Sequence, residues 1–186
     1  MDYDRLLDLG RDLLEAIGED PNRPGLLETP RRWASLWREF IEYEPGRIDT
    51  SFETVQSGQM VLVSGMRVWS FCEHHLIPFW CDVSIAYIPN GKVLGLSKFG
   101  RIAHKWAHRL QLQEQLAAQI ADDVSSIIGS DDVAVLTQGV HLCMVMRGVK
   151  TPACMTTTIL RGAFNDSAAR AEFLSLAASR KGGSYE

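Results

Sequence analysis

Two apolar stretches, MVLVSGMRVWSF (residues 60–71) and VSIAYIP (residues 83–89), decide the fold of this chain. Both are rich in β-branched and aromatic residues, which favour strands, and they lie close enough in sequence to pair. Between the second stretch and the next apolar segment, residues 89–92 have the composition of a hairpin-type turn. Residues 132–147 are expected to form a long strand, and residues 156–164 a last one. The sequence therefore predicts two pairs of strands.

Two helices are expected between the two pairs of strands. The first runs from Ser97 to about Leu110, and the second from Leu112 to Ile128, with apolar residues along one face and Gly129 as its stop. Two hairpins separated by two helices predict an α+β fold, in which the strands form one layer and the helices the other.

The N-terminal part has a different pattern. Residues 3–17 carry leucines at helical spacing and end at Gly18, and Thr29 is expected to cap a second helix that has Pro30 at its first position. The expected domains are an N-terminal helical region over residues 1–58, a domain containing the sheet over residues 59–180 and a flexible tail over residues 181–186.

The overall composition excludes several classes of function. The 186 residues carry a net charge of −4, which argues against a general nucleic-acid binder. No apolar run approaches the roughly 20 residues that span a bilayer, and the N-terminus lacks the basic region of a signal peptide. We therefore expect a cytoplasmic protein without a membrane partner, whose four cysteines are thiols or metal ligands rather than disulfides.

The densest cluster of metal-binding residue types is CEHH, residues 72–75. Cys72 and His75 have a spacing that lets one turn direct both side chains at a zinc ion. In an extended strand, His141, Cys143 and Arg147 would share one face, and Cys143 could then join Cys72 and His75. Three protein ligands would leave the fourth position for water, as in catalytic zinc sites.

Cys81 keeps a second interpretation open. If it occupied the fourth position, the four side chains would form a closed, structural Cys₃His site without catalysis. Spacing alone does not decide between the two arrangements.

Two helix N-termini suggest how a nucleotide could bind. Ser97 and Lys98 begin the first helix, and Lys98, Arg101 and Lys105 share one of its faces, which favours a phosphate site. Glu114 lies in the first turn of the second helix. Its carboxylate either responds to the helix dipole alone or accepts two N–H donors from a planar heterocycle such as guanine.

Taken together, CEHHLIPF, AYIPNGKVLGLSK, RLQLQEQL and HLCMVMRGV resemble, in order and spacing, the zinc-dependent family GTP cyclohydrolase I. The resemblance extends to GEDPNRPGLLETPRR near the N-terminus and to the RGAF and EFL segments near the other end. It covers about residues 5 to 176.

The resemblance implies a tunnelling fold, a toroidal homodecamer with active sites at subunit interfaces, and Zn²⁺ as the cofactor. It implies that GTP and water give 7,8-dihydroneopterin triphosphate and formate, at the entry to pterin and folate synthesis. The zinc ligands it implies are Cys72, His75 and Cys143. The catalytic residues it implies are His74, His141 and Ser97. The substrate-binding residues it implies are Glu114, Gln113, Lys98, Arg101, Arg147 and Arg32.

Two other functions stay open at this point. One is a non-catalytic protein of the same fold that binds a nucleotide or holds a structural zinc. The other is a tunnelling-fold reductase acting on a deazaguanine nitrile, although the nucleophilic cysteine motif of that family is not visible here.

Overall fold

A five-stranded sheet in the order β5-β2-β3-β6-β7 organises the protein. Its strands are β2 (Val61–Cys72), β3 (Pro78–Tyr87), β5 (Leu110–Gln111), β6 (Val133–His141) and β7 (Met155–Leu160). Neighbouring strands are antiparallel except for the short β5, which runs parallel to β2. The computed structural model describes residues 1–179, without the side chains of residues 56 and 57, so the tail expected over residues 181–186 lies outside the described residues.

Two helices connect the paired strands and contribute to the main core. They are α3 (Leu96–Ala107) and α4 (Gln113–Ile128). Leu116, Ile120 and Val124 recur at helical spacing on α4 and are fully buried in one cluster with Val83 and Ile85 of β3. Each such side chain stabilises the fold by about 1.5–3 kcal/mol through apolar burial.

The predicted α+β arrangement is confirmed. The hairpins β2–β3 and β6–β7 flank the two helices in sequence, as expected. Gly129 adopts a left-handed conformation (φ 71°) at the end of α4, where a residue with a Cβ atom would be strained.

The prediction of one long strand over residues 132–147 is wrong. β6 ends at His141, and residues Leu142–Val145 form a short helix, α5. The strand stops because its partners stop. β3 begins at Pro78, one residue before the Phe79 that pairs with His141, and β7 begins at Met155 opposite Gly139. The strand-face argument that linked Cys143 and Arg147 to His141 therefore fails.

The hairpin-type turn expected at residues 89–92 is also wrong. Residues Asn90–Leu94 form strand β4, which pairs antiparallel with β1 (Ser51–Ser57) in a separate two-stranded sheet. β1 itself lies within the region expected to be helical. The last strand is shorter than expected, because Gly162, with φ 52°, begins a 3₁₀ helix (Gly162–Asn165). The helix α6 (Ser167–Ala178) follows.

The chain divides into two compact units, Met1–Glu44 and Pro45–Glu186. The first contains α1 (Tyr3–Ala16) and α2 (Thr29–Ile41), close to the expected bounds. Thr29 is the first residue of α2 rather than its cap, and Gly18 has a φ of 87° just after α1. Within residues 1–179, no helix combines the length and the apolar character that crossing a membrane requires.

Gly139 lies where β6 approaches its neighbours most closely. A Cβ atom there would be 2.5 Å from the carbonyl oxygen of Trp80 and 2.7 Å from the Cβ of Cys81. We expect Gly139→Ala to lower the free energy of unfolding by about 1–3 kcal/mol, because backbone cannot yield as a flexible side chain does. Urea denaturation measures this change.

Gly100 provides the matched control, since a Cβ atom there would have no atom within 4 Å. It lies inside α3, so we expect Gly100→Ala to raise the free energy of unfolding by roughly 0.5–1 kcal/mol. Equal stability of the Gly139→Ala variant and the unsubstituted protein would show that β6 relaxes away from β3.

Candidate functional site

A tight turn at the end of β2 carries the metal-binding side chains. The carbonyl oxygen of Cys72 accepts hydrogen bonds from the amides of His75 (3.3 Å) and Leu76 (2.9 Å), and the Cys72 amide donates to Ile77 (3.0 Å). Leu76 takes the left-handed conformation (φ 52°) that this turn requires. The turn brings the Cys72 Sγ to 3.7 Å from the His75 Nδ1.

Cys72, His74 and His75 form the one group of three metal-binding side chains found among residues 1–179. Their ligand atoms all lie within 4.8 Å of one another. A tetrahedral zinc with ordinary Zn–S and Zn–N bonds separates a sulfur from a nitrogen by about 3.6 Å. The distance between Cys72 and His75 is therefore suited to two ligands of one zinc ion.

Cys143 lies beside this group. Burial raises the pKa of its thiol, and a hydrogen bond with the Cys72 side chain raises it further. α5, rather than an extended strand, brings Cys143 to this position, because the chain turns directly after β6. Cys143 thus lies beside Cys72 through a different local structure from the one expected, while the group whose ligand atoms lie within 4.8 Å of one another contains His74 and not Cys143.

Cys81 lies apart from the group of metal-binding side chains described above. It is fully buried in the main core on β3, and burial raises the pKa of its thiol to about 12. Substitution of Cys81 decides between the open and the closed Cys₃His site, because a bound metal ion would itself deprotonate a thiol.

His141 is held at the end of β6 by two side chains. Its ring stacks on Phe79, which lies opposite on β3, with centroids 4.4 Å apart and planes inclined by 7°. Its Nε2 is 2.9 Å from the Oε1 of Gln113. Burial lowers the pKa of His141, and the charge of nearby Glu114 acts in the opposite direction.

The two residues expected to contact guanine differ in exposure. Glu114 is exposed in the first turn of α4 and lies close enough to influence the His141 ring. Gln113 is fully buried, with both atoms of its amide already engaged by protein groups. Its side chain is therefore unavailable to a ligand in this structure, contrary to the expectation from the resemblance.

Two of the residues expected to bind phosphate converge on one oxygen atom. The Nζ of Lys98, a buried residue, is 2.7 Å from the carbonyl oxygen of Arg47, and the Nη1 of Arg101 is 3.3 Å from the same oxygen. Gly46 (φ 66°) lets the loop approach, since a Cβ atom there would be 2.7 Å from the Arg101 Nη1. The carbonyl oxygen of Arg47 therefore brings the two cationic side chains close together.

Lys105, which shares the predicted face with these residues, pairs instead with Asp123, at 2.7 Å. Ser97 is exposed in the first turn of α3. His74 is exposed, with its Nε2 3.9 Å from a carboxylate oxygen of Glu73.

The two remaining arginines, Arg147 and Arg32, are both exposed. Arg147 is exposed just after α5, and its positive charge lowers the pKa of Cys143 in opposition to the larger effect of burial. Arg32 is exposed on α2 of the N-terminal unit.

Sequence reasoning missed Phe79, the true contacts of Gln113 and the Arg47 carbonyl. Phe79 and His141 face each other because of the register between β3 and β6, and strands so far apart in sequence carry no local signal of register. The Arg47 carbonyl is a backbone group, which no side-chain pattern marks.

The sequence is similar to those of known proteins over most of its length. The sequence model of the family GTP cyclohydrolase I matches residues 8–178. GTP cyclohydrolase 1 of Hyperthermus butylicus is 50% identical over 155 residues, 83% of this chain and 79% of that protein. GTP cyclohydrolase 1 of a Sulfurihydrogenibium species is 47% identical over 174 residues, 92% of either chain.

One solved structure also shows similarity. It is the apo form of the archaeosine synthase QueF-Like, which is 20% identical, with a TM-score of 0.43, over 55% of this chain and 95% of that chain.

Proposed function

The chain belongs to the GTP cyclohydrolase I family, and from that premise we propose how its residues carry out the reaction. The family and its relatives support an enzyme that acts as a GTP cyclohydrolase I and has the fold of that family. The resemblance inferred from the sequence motifs is thereby confirmed.

The reaction opens the imidazole ring of guanine in GTP by hydrolysis at C8 and releases formate. The ribose then rearranges and closes the pterin ring of 7,8-dihydroneopterin triphosphate. The protein has three tasks: to hold the base and triphosphate, to provide a nucleophile at C8, and to move protons in several steps.

We assign Zn²⁺ to Cys72, His75 and Cys143. The observation that carries this assignment is the 3.7 Å approach of the Cys72 Sγ to the His75 Nδ1, and Cys143 is added from the resemblance. When bound, zinc acts as a Lewis acid that makes hydroxide available at neutral pH.

We assign proton transfer to His141, His74 and Ser97. In this proposal His141 exchanges a proton with N7 of guanine as negative charge develops there during attack at C8. The stacking of its ring on Phe79 supports this role, because a ring held in one orientation needs no reorganisation during the reaction. His74 and Ser97, both exposed, are assigned to the later rearrangement.

We assign the guanine base to Glu114 and the triphosphate to cationic residues. A carboxylate can accept two parallel hydrogen bonds from the N–H groups on one edge of guanine. Lys98 and Arg101 are assigned to phosphate from the resemblance, and their shared contact with the Arg47 carbonyl oxygen places their two positive charges close together. Arg147 and Arg32 are assigned to phosphate from the resemblance.

Three further properties rest on the resemblance. We propose a homodecamer with active sites at its subunit interfaces, a cytoplasmic location, and no nucleic acid or membrane among the partners. Chromatography with light scattering measures the mass of the assembly and tests the first of these properties directly.

The overall proposal is tested by incubating purified, zinc-loaded protein with GTP. We expect release of formate and, after oxidation and dephosphorylation, the fluorescence of neopterin. Formate without neopterin would show that ring opening occurs without the rearrangement, which would point to Ser97 and His74. If folded protein that retains zinc gave neither product, this result would favour the non-catalytic alternative.

A further inference from the structure

The orientation of the Gln113 side-chain amide follows from its neighbours. Its nitrogen lies 3.2 Å from the carbonyl oxygen of Thr137 and 3.0 Å from that of Met155. Carbonyl oxygens only accept hydrogen bonds, so the amide nitrogen must face them. A third contact, of 3.1 Å to the Thr137 hydroxyl, agrees with this orientation.

The amide oxygen of Gln113 consequently faces His141. It lies 2.9 Å from Nε2, and because a carbonyl oxygen cannot donate, Nε2 must carry the proton of this hydrogen bond. In the neutral ring, Nδ1 is then the nitrogen without a proton. The backbone of β6 and β7 thus determines the tautomer of His141 through one glutamine.

We propose that Gln113 is a positioning residue that fixes the tautomer and the plane of His141 for proton transfer, rather than a contact for guanine. The inference rests on the proposed role of His141 in the reaction. Full burial of Gln113 supports it, because the side chain has no exposed surface to offer a substrate.

Two neighbours complete this arrangement. Phe79 stacks on His141 and prevents the ring from tilting about its hydrogen bond. Gly139 makes room for the glutamine, since a Cβ atom at that position would lie 2.9 Å from the Gln113 Oε1. The ring of His141 is therefore limited in rotation and in tilt.

Neutron diffraction from crystals of the deuterated, zinc-loaded protein tests the inference without any substitution. We expect deuterium on the Nε2 of His141, directed at the Oε1 of Gln113. A Nε2 without deuterium would overturn the inference, whether or not the protein is active. The result would stand even if the wild-type protein produced no formate, an outcome that would contradict the proposed function instead.

Steady-state kinetics of Gln113→Met provides the second test. Methionine keeps the length of the side chain but removes the acceptor, so we expect kcat to fall about 10- to 100-fold, as for other residues that orient a functional histidine. KM for GTP should stay within about twofold, because this variant removes no substrate contact. A raised KM with unchanged kcat would mean that Gln113 contacts guanine, and unchanged values of both would mean that it has no role; either result overturns the inference.

Gln111→Met is the matched control. Gln111 is a buried glutamine two residues away whose side chain donates to the Trp106 carbonyl (2.8 Å) and to Gln119 (2.7 Å), not to His141. We expect a loss of stability similar to that of Gln113→Met, with kcat and KM within about twofold of wild type. A fall of kcat as large in this control would mean that loss of stability explains both variants, which would also overturn the inference.

Discussion

Replacing Cys143 with alanine is expected to reduce bound zinc from about one ion per subunit to near zero and to reduce formate release to background. Two protein ligands hold zinc far less tightly than three, and without the metal no hydroxide is available for C8 at neutral pH. Elemental analysis of the dialysed protein measures zinc, and a formate assay on the same sample measures activity. Zinc retained at the wild-type level in Cys143→Ala would contradict the assignment.

Two other variants make this experiment selective. Cys81→Ala is expected to retain zinc, because Cys81 is fully buried in the main core and is not one of the three proposed ligands. Loss of zinc in Cys81→Ala would restore the closed Cys₃His site. His74→Ala is also expected to retain zinc while losing product, although His74 lies within 4.8 Å of Cys72 and His75. If it loses zinc and Cys143→Ala does not, the third ligand is His74.

Replacing Glu114 with alanine is expected to lower kcat/KM for GTP by about 10³-fold while zinc content stays at the wild-type level. Two hydrogen bonds to a carboxylate contribute about 1.5–3 kcal/mol each, and their loss leaves the N–H groups of the base unpaired. The kcat/KM of Glu114→Gln should lie between those of the wild type and of Glu114→Ala, because an amide oxygen accepts one of the two hydrogen bonds. Steady-state kinetics and elemental analysis on the same preparations provide both values.

Gln115→Ala is the matched control for Glu114. The residue is exposed in the same turn of α4 and has no part in the proposed site. We expect its kcat/KM to stay within about twofold of wild type. If Glu114→Ala is equally active, the carboxylate serves only the helix dipole, which was the simpler interpretation of its position.

The success and failure of the sequence predictions have physical causes. The helix α4 could be predicted because its apolar residues repeat at helical spacing and Gly129 ends it, and both signals are local. Residues 132–147 could not be predicted correctly, because a strand ends where its partners end and those partners lie far away in sequence.

In the candidate site too, features with a local sequence signal could be predicted, and features that depend on distant residues could not. Cys72 and His75 could be predicted to lie together because one short turn holds both. Cys143 was linked to them by a strand-face argument and by the resemblance, and the strand expected there was wrong. Gln113 was expected to face a substrate, but its contacts with Thr137, Met155 and His141 arise only when the three elements α4, β6 and β7 pack together. The residue type indicated that this side chain forms hydrogen bonds, and the packing determines which groups are its partners.

Because β6 ends at His141, the residues His141 and Cys143 lie on different kinds of backbone. His141 is tied into the sheet, whereas Cys143, only two residues later, lies on a single helical turn followed by the exposed residues 146–154. Local opening of a short peripheral turn costs much less free energy than opening of a central strand. In the proposed zinc site, Cys143 is therefore the ligand whose backbone opens more readily than the strand that holds His141.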